Sequence, residues 1–139
     1  MKLRTSCLAA AAICLSAGAI QANESAIVLG ESAYGALCAV CHGESARGGG
    51  EIADLFAVKP PKLTTLAEQA GGTFPFANVY KVVILGMEAP GHGDSSMPVW
   101  GDYFMADALE DRGVSKTDAI YTAAGRAMAL SLYLESIQE

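Results

Sequence analysis

Cys38-Ala39-Val40-Cys41-His42 puts two thiols and an imidazole within five residues. On a helix, positions i, i+3 and i+4 share a face, so Cys38, Cys41 and His42 point together. Two thiols so spaced can add across the two vinyl groups of one porphyrin. The imidazole that follows then lies under the metal and can ligate it through a ring nitrogen. This spacing is the signature of covalent c-type haem attachment. A CxxC pair has competing readings. A thioredoxin-type redox site needs a βαβ setting, and no stretch here alternates as a strand. A structural zinc site needs four ligands, and no second cysteine pair follows the first. A chance occurrence is the third. The adjacent His42 and the export signal described below favour haem.

A haem iron has a second axial position, and the candidates for it are Met87, Met97, Met105, Met128 and His92. Methionine ordinarily fills gaps in cores, and Met128 has the setting of a core residue in the last helix. Met97 stands apart because it precedes Pro98, which stiffens the backbone beside it in an irregular loop. Met97 is the expected axial partner of His42, with Trp100 packing on the haem. His92, in a Gly-flanked loop, is the alternative, and its plainer role is that of a solvated loop histidine.

Helical spacing dominates the elements that must hold these groups. A first helix is expected from about Asn23 to Cys41, with Ile27, Gly30, Tyr34, Leu37 and Cys41 on one face. Gly43 ends it, and residues 44–62 form a Gly- and Pro-rich loop. A short helix is expected over Thr65–Ala70. Another begins near Pro75, buries Phe76, Val79, Tyr80 and Val83, and closes at Gly86. Pro90, Gly91, Gly93, Pro98 and Gly101 make residues 87–102 irregular, with a helical turn somewhere in 103–114. The last helix starts at Ser115, where Asp118 three residues on resembles a capping box. Its stripe is Ile120, Ala123, Ala124, Ala127, Leu130, Leu134 and Ile137. The expected architecture is a small all-α domain with a long helix at each end. Long loops between them would wrap something large.

The 139 residues, 52% of them apolar, suffice for one domain with a real core. Nine basic residues against fifteen acidic ones argue against a nucleic-acid partner. Lys2 and Arg4, the apolar run from Leu8 to Ile20, and Gln21-Ala22 have the three-part plan of a secretory signal peptide. Cleavage after residue 22 would leave 117 residues as one domain and shift the net charge from −6 to −8, with no stable membrane insertion afterwards. It would also remove Cys7 and Cys14, leaving Cys38 and Cys41 as the only cysteines, too close together to staple the fold.

With these residues in place, the chain resembles the class I c-type cytochromes over nearly its whole exported length. CAVCHG at 38–43 resembles the family's attachment motif and MPVWG at 97–101 its methionine loop. Gly30 and Tyr34 stand eight and four residues before Cys38, as the family's glycine and aromatic do. The resemblance implies that Gly30 lets the first and last helices cross closely, with Tyr133 completing the contact. It also implies that Pro60 or Pro61 offers a carbonyl to the proximal histidine, fixing the ring and raising its basicity. Residues 102–114 are longer than in the most compact members.

The function expected is that of a periplasmic electron carrier with one covalent haem c, not an enzyme. Its axial ligands would be His42 and Met97, its thioether anchors Cys38 and Cys41, with Pro60, Pro61 and Trp100 around the haem. The runner-up is a dedicated cytochrome subunit of a periplasmic dehydrogenase, and a haem-based small-ligand sensor comes third. A peroxidase lacks its distal His/Arg pattern. Asp102, Asp107, Glu110, Asp111 and Asp118 crowd the segment after the methionine loop. They would suit redox partners with a basic docking patch.

Overall fold

The computed structural model describes residues 23–86 and 98–139. The signal peptide expected at 1–22, and Met87, His92 and Met97, lie outside them. Every regular element among the described residues is helical, as the sequence pattern implies. None of these helices is long and apolar enough to cross a membrane.

Helix α1 covers residues 23–37. After a distorted turn at Cys38 (φ −107°, ψ −34°), one more turn, α2 (Ala39–His42), carries the chain to Gly43. A 3-10 turn follows at Ala53–Leu55, then the single turn α3 (Leu66–Gln69). Helix α4 (Phe76–Leu85) starts just after Pro75, buries Val79 and Val83, and ends at Gly86, whose φ is 59°. The expected boundaries of these elements hold to within a residue or two.

Helix α5 (Trp100–Arg112) corrects the sequence reading, which left residues 100–102 in the loop and gave the rest a single turn. Gly101 is no loop glycine. It lies where α5 crosses α4, and a Cβ there would meet the Ile84 carbonyl, 3.0 Å from its carbon and 2.9 Å from Ile84 Cγ1. Glycine here permits a close helix approach and so counts as packing, not punctuation. Trp100, Phe104 and Ala108, spaced by four, are the buried face. Gly113, left-handed at φ 59°, ends the helix in the usual way.

Helix α6 (Lys116–Ser136) is the longest, about 31 Å at 1.5 Å per residue. Its start is the expected cap: the Ser115 hydroxyl accepts from Asp118 N at 3.2 Å and donates to the Asp118 carboxylate at 2.7 Å. Its buried stripe is Ala119, Ala123, Ala127, Leu130 and Leu134. Ile120, expected inside, is half exposed (50%), and Met128, expected to pack, is 44% exposed. The alanines are chosen by proximity: α6 lies against both α4 and α5, and small side chains let the helices approach.

The core joins α1, α4, α5 and α6 through Tyr34, Cys38, Val79, Val83, Trp100, Phe104, Leu130 and Leu134. Gly30 is buried at the crossing of α1 and α6. A Cβ on it would meet the Ala129 carbonyl, 2.6 Å from its carbon and 2.8 Å from Tyr133 Cβ. One turn on, the rings of Tyr34 and Tyr133 pack with centroids 5.4 Å apart at 46°. Gly30, Tyr34 and Tyr133 thus meet as the resemblance implied.

Candidate functional site

The motif sits at the C-terminal end of the first helical stretch, where the last carbonyls have no partner within the helix. The glycine-rich loop supplies them. Gly48 N donates to His42 O at 2.8 Å, Gly50 N to Cys41 O at 3.2 Å, and Ile52 N to Val40 O at 3.1 Å. This folding-back needs bare backbone at two places. Gly43 has φ 79° and a Cβ on it would strike Gly48 O; a Cβ on Gly50 would lie 2.5 Å from Cys41 C. The buried Tyr34 hydroxyl donates to Gly43 O at 2.6 Å, tying the end of the motif to α1. The loop between motif and α3 therefore wraps the motif itself.

Cys38 is buried and belongs to the core, Cys41 is half-buried, and His42 is only 3% exposed. Both thiols are free of disulfide bonds. Burial, with Cys41 alongside, pushes the Cys38 thiol up to about 12, and burial raises Cys41 as well. Such thiols stay protonated at neutral pH, whereas redox-active and zinc-binding cysteines work as thiolates. Among the described residues no group of three or more His, Cys, Asp and Glu side chains converges, so these residues supply no four-ligand zinc site.

His42 Nδ1 lies 3.0 Å from the carbonyl oxygen of Pro61. A carbonyl only accepts, so Nδ1 carries the proton and the ring's lone pair is on Nε2. Burial lowers the His42 pKa and the Pro61 bond partly opposes it. At neutral pH the ring is therefore neutral, with Nε2 as its donor atom, the form in which histidine binds metals. Of the two prolines singled out from sequence, Pro61 makes this bond. Pro60 is a neighbour in the same stretch, its carbonyl over Gly48.

Trp100 is 8% exposed and stacks within an aromatic group, 5.5 Å from Tyr103 and 6.3 Å from Phe104 by ring centroids. Its Nε1–H is buried and has no hydrogen-bond partner, and neither has the Thr64 hydroxyl. An indole N–H can only donate, and leaving it unmet costs about 1–3 kcal/mol. Two buried polar atoms without partners suit a bound group with its own polar atoms. The donor set thus fits a haem on three counts: two thiols and an imidazole at the attachment spacing, a fixed histidine tautomer, and buried polar atoms in need of partners. Thr64 escaped the sequence reading because no local pattern marks a buried threonine. Met97, the expected second ligand, lies outside the described residues. Met105 packs half-buried against the core.

Of the acidic segment, Asp107 pairs with Arg126, whose guanidinium also lies 5.7 Å over the Phe104 ring. Asp102 and Asp118 are exposed. Comparison with protein-family models, with curated proteins and with solved structures finds no match.

Proposed function

We propose that this protein is a class I c-type cytochrome, a one-haem electron carrier exported to the periplasm. Cys38 and Cys41 would form the two thioether bonds and His42 the proximal bond to iron, with Met97 opposite. The observation that carries the reading is the bond of the buried His42 Nδ1 to Pro61, directly after the Cys38–Cys41 pair. It sets one tautomer, holds the ring plane, and directs Nε2 as ligand.

The haem, when bound, supplies one reversible electron between ferrous and ferric iron. The chain's residues bind it, keep water away and fix its ligands. Cys38 in the core and Tyr34 on Gly43 O anchor the attachment helix against α6. Trp100 Nε1 and Thr64 Oγ1, buried without partners, could donate to polar atoms of the bound haem.

Expression together with haem-attachment machinery tests this. The product should carry one haem that acid-acetone does not extract, and a mass increased by one haem. Cys38→Ala or Cys41→Ala should leave a single thioether bond. Met97→Ala should open the iron to cyanide or carbon monoxide and lower the potential. An extractable haem, or none, would end the reading.

A further inference from the structure

We propose that Gln138 is a positioning residue for the His42 imidazole, acting through the Leu63 peptide that it holds and the Pro61 carbonyl two residues before it.

The Pro61 carbonyl holds His42 Nδ1, so what fixes Pro61 helps to fix the ring. Proline has no N–H, so Pro60 and Pro61 cannot anchor themselves through their own amides. The anchor comes next in the chain. Leu63 N donates to the carbonyl of the fully buried Ala46 at 2.8 Å. The Leu63 carbonyl accepts from Gln138 Nε2, also at 2.8 Å. Leu63, two residues beyond Pro61, is thus gripped at both its backbone groups, from the motif loop on one side and from just past the end of α6 on the other.

Gln138 is fully engaged in this role. Its second Nε2 proton goes to Leu134 O at 2.6 Å, which braces the side chain on α6. Its Oε1 accepts from Ala67 N at 2.9 Å, an amide in the first turn of α3 that the four-residue helix cannot satisfy itself. Beside it, Glu139 N donates to Thr64 O at 2.9 Å, and the Glu139 carboxylate pairs with Arg47 at 2.7 Å. Residues 46–47, 63–67 and 138–139 form one knot, and the core-packed Ile137 seats it. The Arg47 pair is largely exposed and adds little. The amide of Gln138 does the holding.

The inference needs the cytochrome reading only for its electrochemical readout. A looser Pro61 carbonyl makes the proximal imidazole less basic, which disfavours ferric iron, so the midpoint potential should rise. The direct readout is exchange of the His42 Nδ1 proton with deuterium, followed by NMR in histidine-labelled, reduced protein. Gln138→Met keeps the aliphatic volume and loses all three side-chain bonds. It should speed that exchange about tenfold or more and raise the potential. The control is Ala119→Gly, in a fully buried position at the far end of α6. It weakens the fold without touching the knot, and at matched loss of global stability it should move neither quantity. If Gln138→Met does not fold, Gln138→Glu serves: it keeps an acceptor for Ala67 N, loses both donated bonds, and should give the same two changes. Unchanged His42 exchange in the Gln138 variant, or a change equal to that in Ala119→Gly, overturns the proposal. Should the wild-type chain carry no haem, the cytochrome reading falls, and His42 exchange alone decides the role of Gln138.

Discussion

Gly30→Ala is the substitution on which the helix arrangement can be judged most sharply. The new Cβ would stand 2.6 Å from the Ala129 carbonyl carbon and 2.8 Å from Tyr133 Cβ. Ordinary contact begins near 3.4 Å and the Ala129 carbonyl oxygen lies closer still than its carbon, so α1 and α6 must part by more than about 0.8 Å. The obstacle is the backbone of α6, which cannot swing aside as a side chain can. Overpacking of this kind costs roughly 1–3 kcal/mol, and an unyielding backbone puts it at the upper end. Alanine's better helix propensity returns about 1 kcal/mol. The net loss is about 2 kcal/mol, or roughly 6–12 °C in Tm for a domain of this size.

The same chemical change serves as its own control. At Gly35 in α1 and Gly125 in α6, nothing lies within 4 Å of an added Cβ. Both residues are exposed and helical. There the propensity gain acts alone, and alanine should stabilise by about 0.5–1 kcal/mol. Thermal and urea unfolding followed by far-UV circular dichroism would measure all three variants of the full protein. Opposite signs are expected, Gly30 down and the other two up. A Gly30→Ala protein as stable as Gly125→Ala would refute the close crossing of the first and last helices.

Four further outcomes follow from the geometry. The buried His42 has a folded-state pKa below its ordinary value of 6.5. The unfolded chain therefore binds a proton that the native one refuses, and stability should fall as pH drops below 6.5, with a slope approaching about 1.4 kcal/mol per pH unit; a urea midpoint flat from about pH 6.5 to pH 5 would contradict the buried, neutral ring. Arg126→Gln breaks a pair whose side chains are only about a quarter exposed (27% and 25%) and removes a cation from over Phe104, so it should cost about 1–2 kcal/mol in urea unfolding. Lys59→Ala, across the exposed pair with Asp54, should leave the midpoint unmoved. With a basic redox partner, stopped-flow electron transfer should slow as salt rises to 0.1 M, where the Debye length is ~10 Å; Asp102→Asn should slow it more than Asp107→Asn, because Asp107 is already paired, and rates rising with salt would exclude docking through this acidic segment.

What could be read in advance follows from the range of each interaction. The Ser115 cap and the limits of α4 and α6 depend on residues three or four apart, and they stand in the structure as read. Gly30 and Tyr133 came through the family resemblance, since no local pattern links residues 103 positions apart. Gly101 misled because glycine serves two opposite ends: it breaks a helix in solvent and permits a helix to touch a neighbour. Only the neighbour, here Ile84, decides between them. Ile120 misled in a related way. An apolar stripe scored by hydrophobicity prefers isoleucine, whereas a close helix contact selects the adjacent small Ala119.

The choice between Pro60 and Pro61 shows why the site depends on parts remote in sequence. Locally the two are equivalent: adjacent, both without N–H, both in the same loop. The one that faces His42 is set by where the following peptide is held. That peptide, Leu63, is held by Ala46 and by Gln138, 75 positions further along the chain. A metal-ligand imidazole needs its ring fixed by a partner on the other nitrogen. For His42 that partner would be the Pro61 carbonyl, two residues before the Leu63 that Gln138 holds. On the reading proposed above, the attachment motif would bring the ligand, and Gln138, just past the end of α6, would help to set which way it faces.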